Sequence, residues 1–201
     1  ICLNRDAQVN ALTTLRPLLH EGSRVVFVTS HQAHFIRTVD TMPEYVPVAL
    51  SKRAGEDALR EMIPALEADG KLPVTFMLLQ PQSWSDEVYT DITRMLTLNG
   101  AQSAAGREMH LCPMQFDLAD RVIEQFSMKG ETVFDPFGGL MTVPYRAILQ
   151  GRKGIGVELS AAYFVDGAMY CAMAEREMAT PSLFDSLPAQ DDVPALRVVA
   201  S

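Results

Sequence analysis

The fold of this chain is decided by residues 132–159, which read TVFDPFGGLMTVPYRAILQGRKGIGVEL. Residues 132–134 have the composition of a short strand and lead into an acid and a pair of glycines. A helix is predicted over residues 143–150, and a second strand over residues 155–158. Strand, glycine loop, helix and strand make up a βαβ unit, whose crossover is right-handed. The sequence therefore predicts an α/β fold, a mostly parallel sheet with helices on both faces and ligands at the carboxyl ends of its strands.

An acid ends each of the two predicted strands, Asp135 the first and Glu158 the second. Between them, Gly138 and Gly139 let a ligand approach the backbone closely, and the next helix N-terminus offers free amides. Glu158 is placed to accept hydrogen bonds from both ribose hydroxyls of a nucleoside. Asp135 would repel a pyrophosphate but suits an ammonium group, so these charges favour S-adenosylmethionine over NAD. Each feature by itself is also typical of an ordinary turn or a solvated strand end. In combination, the features favour a ligand site and a purely structural role about equally.

Composition excludes several classes of protein. With 48% hydrophobic and 21% charged residues over 201 positions, the chain can bury a core and is neither disordered nor a fibrous repeat. No apolar run approaches the roughly 20 residues of a membrane-spanning helix. No signal-peptide pattern opens the printed sequence, and three scattered cysteines have neither disulfide nor metal-ligand spacing. The cytoplasm is therefore the predicted location, with no membrane partner and no metal site.

The net charge of −8 argues against a chain whose whole surface binds nucleic acid. The acidity is concentrated in residues 61–106 and 154–201, whereas residues 1–60 carry seven Lys/Arg against six Asp/Glu. A local basic face is compatible with this distribution and would contact DNA phosphates, although a solvated helix face is the alternative. The candidate DNA-binding residues are His31, His34, Arg37, Lys52 and Arg53.

The rest of the chain shows the alternation of helices and strands expected of an α/β fold. Further strands are predicted over residues 24–30 and 74–79, and loops over residues 80–85 and 98–103. Helices are predicted over residues 7–19, 33–39, 58–68, 117–126 and 160–178.

Short motifs follow one another between residue 107 and about residue 184. They are HLCP at 110–113, VFDPFGGLMT at 133–142, GVEL at 156–159, Tyr163-Phe164 and, more weakly, PSLFD at 181–185. In this order they resemble the carboxy-terminal part of amino-methylating DNA methyltransferases. They are similar in particular to the N6-adenine/N4-cytosine group in which the catalytic motif precedes the cofactor motifs, and phage and prophage methylases carry similar strings. The resemblance implies a Rossmann-like, S-adenosylmethionine-dependent methyltransferase fold.

The resemblance also implies which residues bind S-adenosylmethionine. Asp135 would hold its amino group, Thr142 would face its carboxylate and Glu158 would bind the ribose hydroxyls. Phe137 and Gly139 would shape the loop over the cofactor.

A second segment would close over the cofactor from the other side. The resemblance assigns this role to His110 and Pro113. Met141 departs from the second glycine that the family usually has in its cofactor loop.

The resemblance implies a single methyltransferase domain over residues 1–201 with an unassigned catalytic residue. These enzymes stack a flipped base on an aromatic residue beside a Pro-Pro pair, and no Asp-Pro-Pro-Tyr or related string occurs here. Residues 18–30 resemble the helix, glycine and strand that follow the catalytic loop, so the missing segment is expected upstream of Ile1. The domain divides into part of the catalytic-side sheet at 1–39, a target-recognition or connecting region at 40–106, a cofactor-binding unit at 107–178 and a tail at 179–201.

The predicted function is methyl transfer from S-adenosylmethionine to an exocyclic amino group of a base in double-stranded DNA. Adenine N6 is favoured by the resemblance to phage-borne members, and cytosine N4 is the alternative. A catalytically inactive cofactor- or DNA-binding relative is a further alternative, and a homodimer is compatible with the sequence. A helicase-like nucleotide module in residues 1–106 is disfavoured because no Gly-Lys-Ser/Thr phosphate loop is present. Cys112-Pro113 has the reverse order of the Pro-Cys used for carbon-5 methylation of cytosine.

Overall fold

The computed structural model describes residues 2–68 and 88–181. The chain divides into two compact units: unit 1 comprises Ile1–Leu96 and Gln115–Ser127, and unit 2 comprises Thr97–Met114 and Met128–Ser201. The described elements are α1 (Cys2–Leu15), α2 (His31–His34), α3 (Val46–Ala68), α4 (Asn99–Ala104), α5 (Phe116–Phe126), β1 (Thr132–Asp135), α6 (Thr142–Leu149), β2 (Lys153–Gly156) and α7 (Ala161–Ala179), with a 3-10 turn at Arg16–Leu18.

The centre of unit 2 is the βαβ unit that the sequence predicts. β1 and β2 pair in parallel, with Phe134 opposite Ile155. α6 connects the two strands and packs against both of them and against α7. β2 begins two residues earlier than predicted and ends at Gly156. It ends there because the next carbonyl, that of Val157, accepts a hydrogen bond from the Gly138 N–H of the loop at 2.8 Å.

Glycines in β2 determine how closely α6 approaches the sheet. A Cβ on Gly154 would lie 2.5 Å from the carbonyl oxygen of Pro144 and 2.8 Å from its Cα. A Cβ on Gly156 would lie 2.9 Å from Cγ of the same proline, which is fully buried. Because backbone atoms cannot move aside as a flexible side chain does, this packing requires glycine at position 154.

Unit 1 is built on the packing of α1 and α2 against α3. Its buried apolar residues include Leu12 of α1, Ala33 of α2, and Ala49 and Leu66 of α3. The contact between α1 and α3 is close at Gly55, where a Cβ would lie 3.7 Å from the Asn4 carbonyl oxygen.

A buried arginine connects α5 to the segment that contains Tyr89 and Asp91, also within unit 1. The Arg121 guanidinium on α5 lies 2.6 Å from the Asp91 carboxylate and 3.0 Å from that of Asp117. The Tyr89 ring lies beneath the guanidinium, 5.7 Å from Cζ to the ring centroid. A hydrogen bond from the Phe116 N–H to the Leu96 carbonyl adds a main-chain contact between the same two segments.

Four of the helices predicted from the sequence are helices in the structure, two of them with different ends. The helices predicted over residues 117–126 and 160–178 correspond to α5 and α7 within one residue. The helices predicted over residues 7–19 and 58–68 correspond to α1 and α3, which both begin earlier along the chain. The strand predicted over residues 74–79, the loop at 80–85 and residues 182–201 of the tail lie outside the described residues.

Three predictions of local structure are wrong. Residues 24–30 are not in a strand: a strand needs a partner to complete its hydrogen bonds, and within residues 2–68 and 88–181 the two strands pair with each other and not with this run. The helix predicted over residues 33–39 ends at His34 and gives way to turns. The loop predicted over residues 98–103 is instead α4, whose Gln102 is buried and thereby packs the segment into unit 2.

The described residues thus show, in unit 2, a two-stranded parallel sheet packed against α6, with α7 packed on α6 in turn, and in unit 1 helices packed on one another. The wider sheet with helices on both faces stays a prediction. Over residues 2–68 and 88–181, the helices lack either the length or the apolar character that a bilayer crossing requires.

The close approach of α6 to β2 generates a prediction for stability. Gly154→Ala should lower the free energy of unfolding by about 1–3 kcal/mol, since the added methyl group meets main-chain atoms of Pro144. Urea denaturation followed by circular dichroism measures the change. Gly100→Ala is the matched control, because a Cβ there meets nothing within 4 Å. Equal unfolding free energies for the two variants would show that the packing is looser than described.

Candidate functional site

The glycine loop that follows β1 is held in place by its own main chain. Asp135, the last residue of β1, accepts a hydrogen bond through Oδ1 from the Phe137 N–H at 2.9 Å. The Gly138 N–H donates to the Val157 carbonyl at 2.8 Å. Gly139 has a φ of 53°, a conformation that glycine adopts without strain. The loop is therefore anchored to the end of each strand.

Glu158 lies two residues past β2 and binds the loop directly. Its Oε2 accepts the Gly139 N–H at 2.8 Å, and its Oε1 accepts the Ser160 N–H at 2.7 Å. Ser160 caps the N-terminus of α7, so one carboxylate joins the glycine loop to the first turn of that helix. Each carboxylate oxygen has a further lone pair, which leaves acceptor capacity for ligand hydroxyl groups.

Asp135 lies in an electrostatically unfavourable place. Burial raises the pKa of its carboxyl group above the ordinary value, the hydrogen bond from Phe137 lowers it, and the negative charge of Glu158 raises it further. A buried acid with a like charge nearby is stabilised when a cation binds beside it. The two acids therefore form a place that is suited to an ammonium group.

The His110 imidazole lies against the glycine loop. Its Nε2 is 3.1 Å from the point where a Cβ of residue 139 would stand, so a side chain there would crowd the ring. The ring also contacts Tyr163 of α7, with 5.0 Å between the ring centroids. The structure therefore brings His110 to the predicted site, and Pro113 lies half-buried on the same segment.

The remaining predicted cofactor residues occupy the two ends of the loop. Phe137 is about half exposed, as expected of a residue over a ligand. Thr142 is the first residue of α6 and is buried.

Met141 adopts a left-handed backbone conformation, which is more usual for glycine. Its φ is 61°, and its side chain is buried. The thioether occupies a slot bordered by Gly138, Gly156 and Gly167, where added Cβ atoms would collide with it. The departure from the family's usual glycine is thus compatible with the loop, since the missing side chains of three glycines make room for this one.

The sequence analysis did not identify the residues whose side chains hold the main chain at and before His110. Asn99 and Gln102 make hydrogen bonds to the main chain of residues 108–110. Their signal was the pair of amide side chains in LNGAQ at 98–102, a string whose composition is otherwise typical of a loop.

The predicted DNA-binding residues lie on α2, in the turns that follow it and on α3, and carboxylates accompany several of them. His34 Nδ1 is 3.1 Å from Glu56 Oε1. Arg37 and Arg53 both bind Asp57, at 2.7 and 2.9 Å.

The other two predicted DNA-binding residues have different surroundings. His31 is exposed and contacts the Phe35 ring, while Lys52 is half-buried on α3. A role of this surface in binding DNA phosphates stays a prediction, and the acids of α3 reduce its net positive charge.

Fold and site together define an α/β unit with acids at the ends of two parallel strands around a glycine loop. Residues 79–168 match the family described as DNA methylase, the N6/N4 methyltransferases. The predicted resemblance to amino-methylating DNA methyltransferases is therefore confirmed for this part of the chain. The kinship with phage enzymes and the order of the motifs stay predictions.

A curated relative is the Type II methyltransferase M.MthZI of Methanothermobacter thermautotrophicus, which is 36% identical over 80 residues. The match covers 38% of this chain and spans about a fifth (21%) of that relative's length. No solved structure matches the chain significantly.

The raised pKa of Asp135 predicts how stability changes with pH. The carboxyl group is protonated in both folded and unfolded chains at low pH, and the stability it contributes is lost as pH rises through its raised folded pKa. Asp135→Asn keeps the oxygen that accepts the Phe137 N–H and never ionises. Its free energy of unfolding should exceed that of the wild type increasingly above about pH 4, as measured by urea denaturation at several pH values.

The matched control for this series is Asp40→Asn, which changes an exposed carboxyl group in unit 1. It should follow the wild-type pH curve. If Asp135→Asn follows that curve too, ionisation of Asp135 does not destabilise the folded protein.

Proposed function

We propose that this chain is part of a DNA methyltransferase that transfers a methyl group from S-adenosylmethionine to an exocyclic amino group of a DNA base, with adenine N6 favoured. The observation that carries the proposal is the pair of acids around the glycine loop. Asp135 is partly buried beside the charge of Glu158, and Glu158 is oriented by two main-chain N–H groups. The match of residues 79–168 to DNA methylases supports the same reading.

The residues present fit S-adenosylmethionine better than a dinucleotide. Asp135 would accept hydrogen bonds from the ammonium group of the methionine part, and this contact would relieve the repulsion by Glu158. The oxygens of Glu158 would accept hydrogen bonds from ribose hydroxyls through their remaining lone pairs. A pyrophosphate would instead meet two negative charges at the same place.

The chain's own residues would act by orientation. When bound, S-adenosylmethionine would supply an electrophilic methyl group on its sulfonium sulfur. Contacts at both ends of the cofactor would hold that group in one position, and positioning of this kind supplies most of the rate in such transfers. Phe137 and His110 would exclude water, since one is half exposed over the loop and the other lies against Gly139.

Double-stranded DNA in the cytoplasm would be the substrate. The α2–α3 surface of unit 1 would contact phosphates, which contributes affinity that falls with salt and reads no sequence. Because Arg37 and Arg53 both bind Asp57, this contribution would be small, and the main DNA contacts would lie elsewhere.

Cytosine N4 is the alternative acceptor. Both amino groups are attached to a base ring, and the proposed cofactor contacts would touch neither base. The preference for adenine is supported by the likeness to phage-borne methylases. A relative that binds cofactor without transferring methyl groups is a further alternative, favoured if the full-length protein lacks the Pro-Pro motif.

Removal of either acid should weaken cofactor binding. Asp135→Ala and Glu158→Ala should each reduce the affinity for S-adenosylhomocysteine by about 1–3 kcal/mol, because ligand donors lose their acceptor. Isothermal titration calorimetry gives the affinities. Glu175→Ala removes an exposed acid from the C-terminal part of α7, away from the glycine loop in sequence, and should bind like the wild type. Wild-type affinity in both acid variants would contradict the proposed site.

The methylated base can be identified directly. Unmethylated DNA treated with the full-length protein and S-adenosylmethionine should yield N6-methyladenine on mass spectrometry of its nucleosides. N4-methylcytosine would select the alternative acceptor, and 5-methylcytosine would contradict the amino-methylating assignment. DNA that stays unmodified while the cofactor binds would favour the inactive relative.

A further inference from the structure

We propose that Asn99 is a positioning residue that holds the His110 imidazole over the glycine loop as an Nε2–H donor to the bound ligand. The identity of that ligand rests on the proposed function. The position and tautomer of the ring rest on contacts within unit 2 and can be tested without any ligand.

Asn99 binds both main-chain groups of His110. Its Nδ2 donates to the His110 carbonyl at 2.8 Å, and its Oδ1 accepts the His110 N–H at 2.8 Å. A side-chain amide carries one donor and one acceptor side by side, so it pairs with residue 110 as a neighbouring strand would. Aspartate has the same shape and lacks the donor.

Gln102 holds the preceding turn of the same segment. Its side chain is fully buried, and Nε2 donates to the Glu108 carbonyl at 2.9 Å and to Asp166 Oδ2 at 2.7 Å. Its Oε1 accepts the Tyr170 hydroxyl at 2.8 Å. Asp166 and Tyr170 belong to α7, and therefore α4 and α7 together determine where residues 108–110 lie.

The imidazole of His110 is restricted to one neutral tautomer. The Cys112 N–H donates to Nδ1 at 3.2 Å, and a nitrogen that accepts a hydrogen bond carries no proton of its own. The proton of the neutral ring is therefore on Nε2, the atom that lies against Gly139.

The opposite side of the ring is supported by α7. Tyr163 contacts the imidazole. Desolvation raises the pKa of the Tyr163 hydroxyl, and the charge of Glu108, a side-chain hydrogen bond with Glu108 and the charge of Glu158 raise it further. Ser160, at the start of the same helix, donates its N–H to Glu158. One helix thus supports both His110 and the acid that holds the loop, and Nε2 is the ring atom nearest to Gly139 of that loop.

The tautomer is read from the ¹⁵N resonances of His110 in the intact chain without ligand, at about pH 8, where an ordinary imidazole is neutral. We expect an unprotonated Nδ1 and a protonated Nε2 in the wild type, and a mixture of both tautomers in Asn99→Asp. Asn10→Asp makes the same change at an exposed site of α1 and should leave the resonances unchanged. A wild-type ring protonated on Nδ1, or an unchanged tautomer in Asn99→Asp, overturns the proposal. The wild-type measurement decides the matter if Asn99→Asp does not fold.

Binding separates positioning from a merely structural role. Asn99→Asp should weaken binding of S-adenosylhomocysteine by about 2- to 10-fold, the effect of one lost hydrogen bond. In a His110→Ala background the same substitution should have no further effect, because the group that it positions is gone. His110→Gln keeps an N–H donor and should bind more tightly than His110→Ala.

Additive effects of Asn99→Asp and His110→Ala on binding would overturn the positioning role. A wild-type protein that shows the expected tautomer and binds no S-adenosylhomocysteine would support the positioning of His110 and contradict the proposed function instead. The two proposals therefore fail by different results.

Discussion

The carboxylate of Glu158 accepts one main-chain N–H from the glycine loop and one from the start of α7, and the geometry of the site depends on this double contact. It joins the end of the βαβ unit to the helix that packs on α6. Hydrogen bonds to a charged acceptor are stronger than those between neutral groups. This carboxylate connects the glycine loop, on which His110 packs at Gly139, to α7, which carries Tyr163. The relative positions of His110, Gly139 and Tyr163 therefore depend on it.

The same arrangement keeps a second acid in unfavourable surroundings. Partial burial raises the pKa of the Asp135 carboxyl group, and the charge of Glu158 adds to the rise. Perturbed acids of this kind are concentrated at functional sites, because a ligand of opposite charge turns the unfavourable field into binding free energy. The contrast with unit 1 is instructive: there the carboxylates of Glu56 and Asp57 already lie beside His34, Arg37 and Arg53. Charge in unit 1 is thus largely compensated within the protein, whereas charge at the loop is not.

The sequence predicted the βαβ unit well because its signals are local. A short apolar run, a glycine pair and a helical period each act over a few residues, and β1, α6 and β2 appear where those signals stand. Residues 24–30 have an equally apolar, β-branched run and form no strand, since strand formation depends on a partner elsewhere in the chain. The sequence predicts a loop where α4 lies for the opposite reason. The polar composition of α4 is offset by hydrogen bonds between Gln102 and residues of α7 that lie 64 and 68 positions further along the chain.

For the candidate site, the sequence by itself determined which chemical groups are present and in what order. Asp135, the glycine pair and Glu158 follow one another at the ends of two strands, and this order was enough to favour an ammonium-bearing nucleoside ligand. Only the tertiary structure decided which of these groups touch. It directs the Gly139 N–H to Glu158, seats Met141 among three glycines and brings Asn99 to the main chain of His110. Such contacts join residues that are distant in sequence and depend on how closely backbones pack, a property that no local pattern of residue types records.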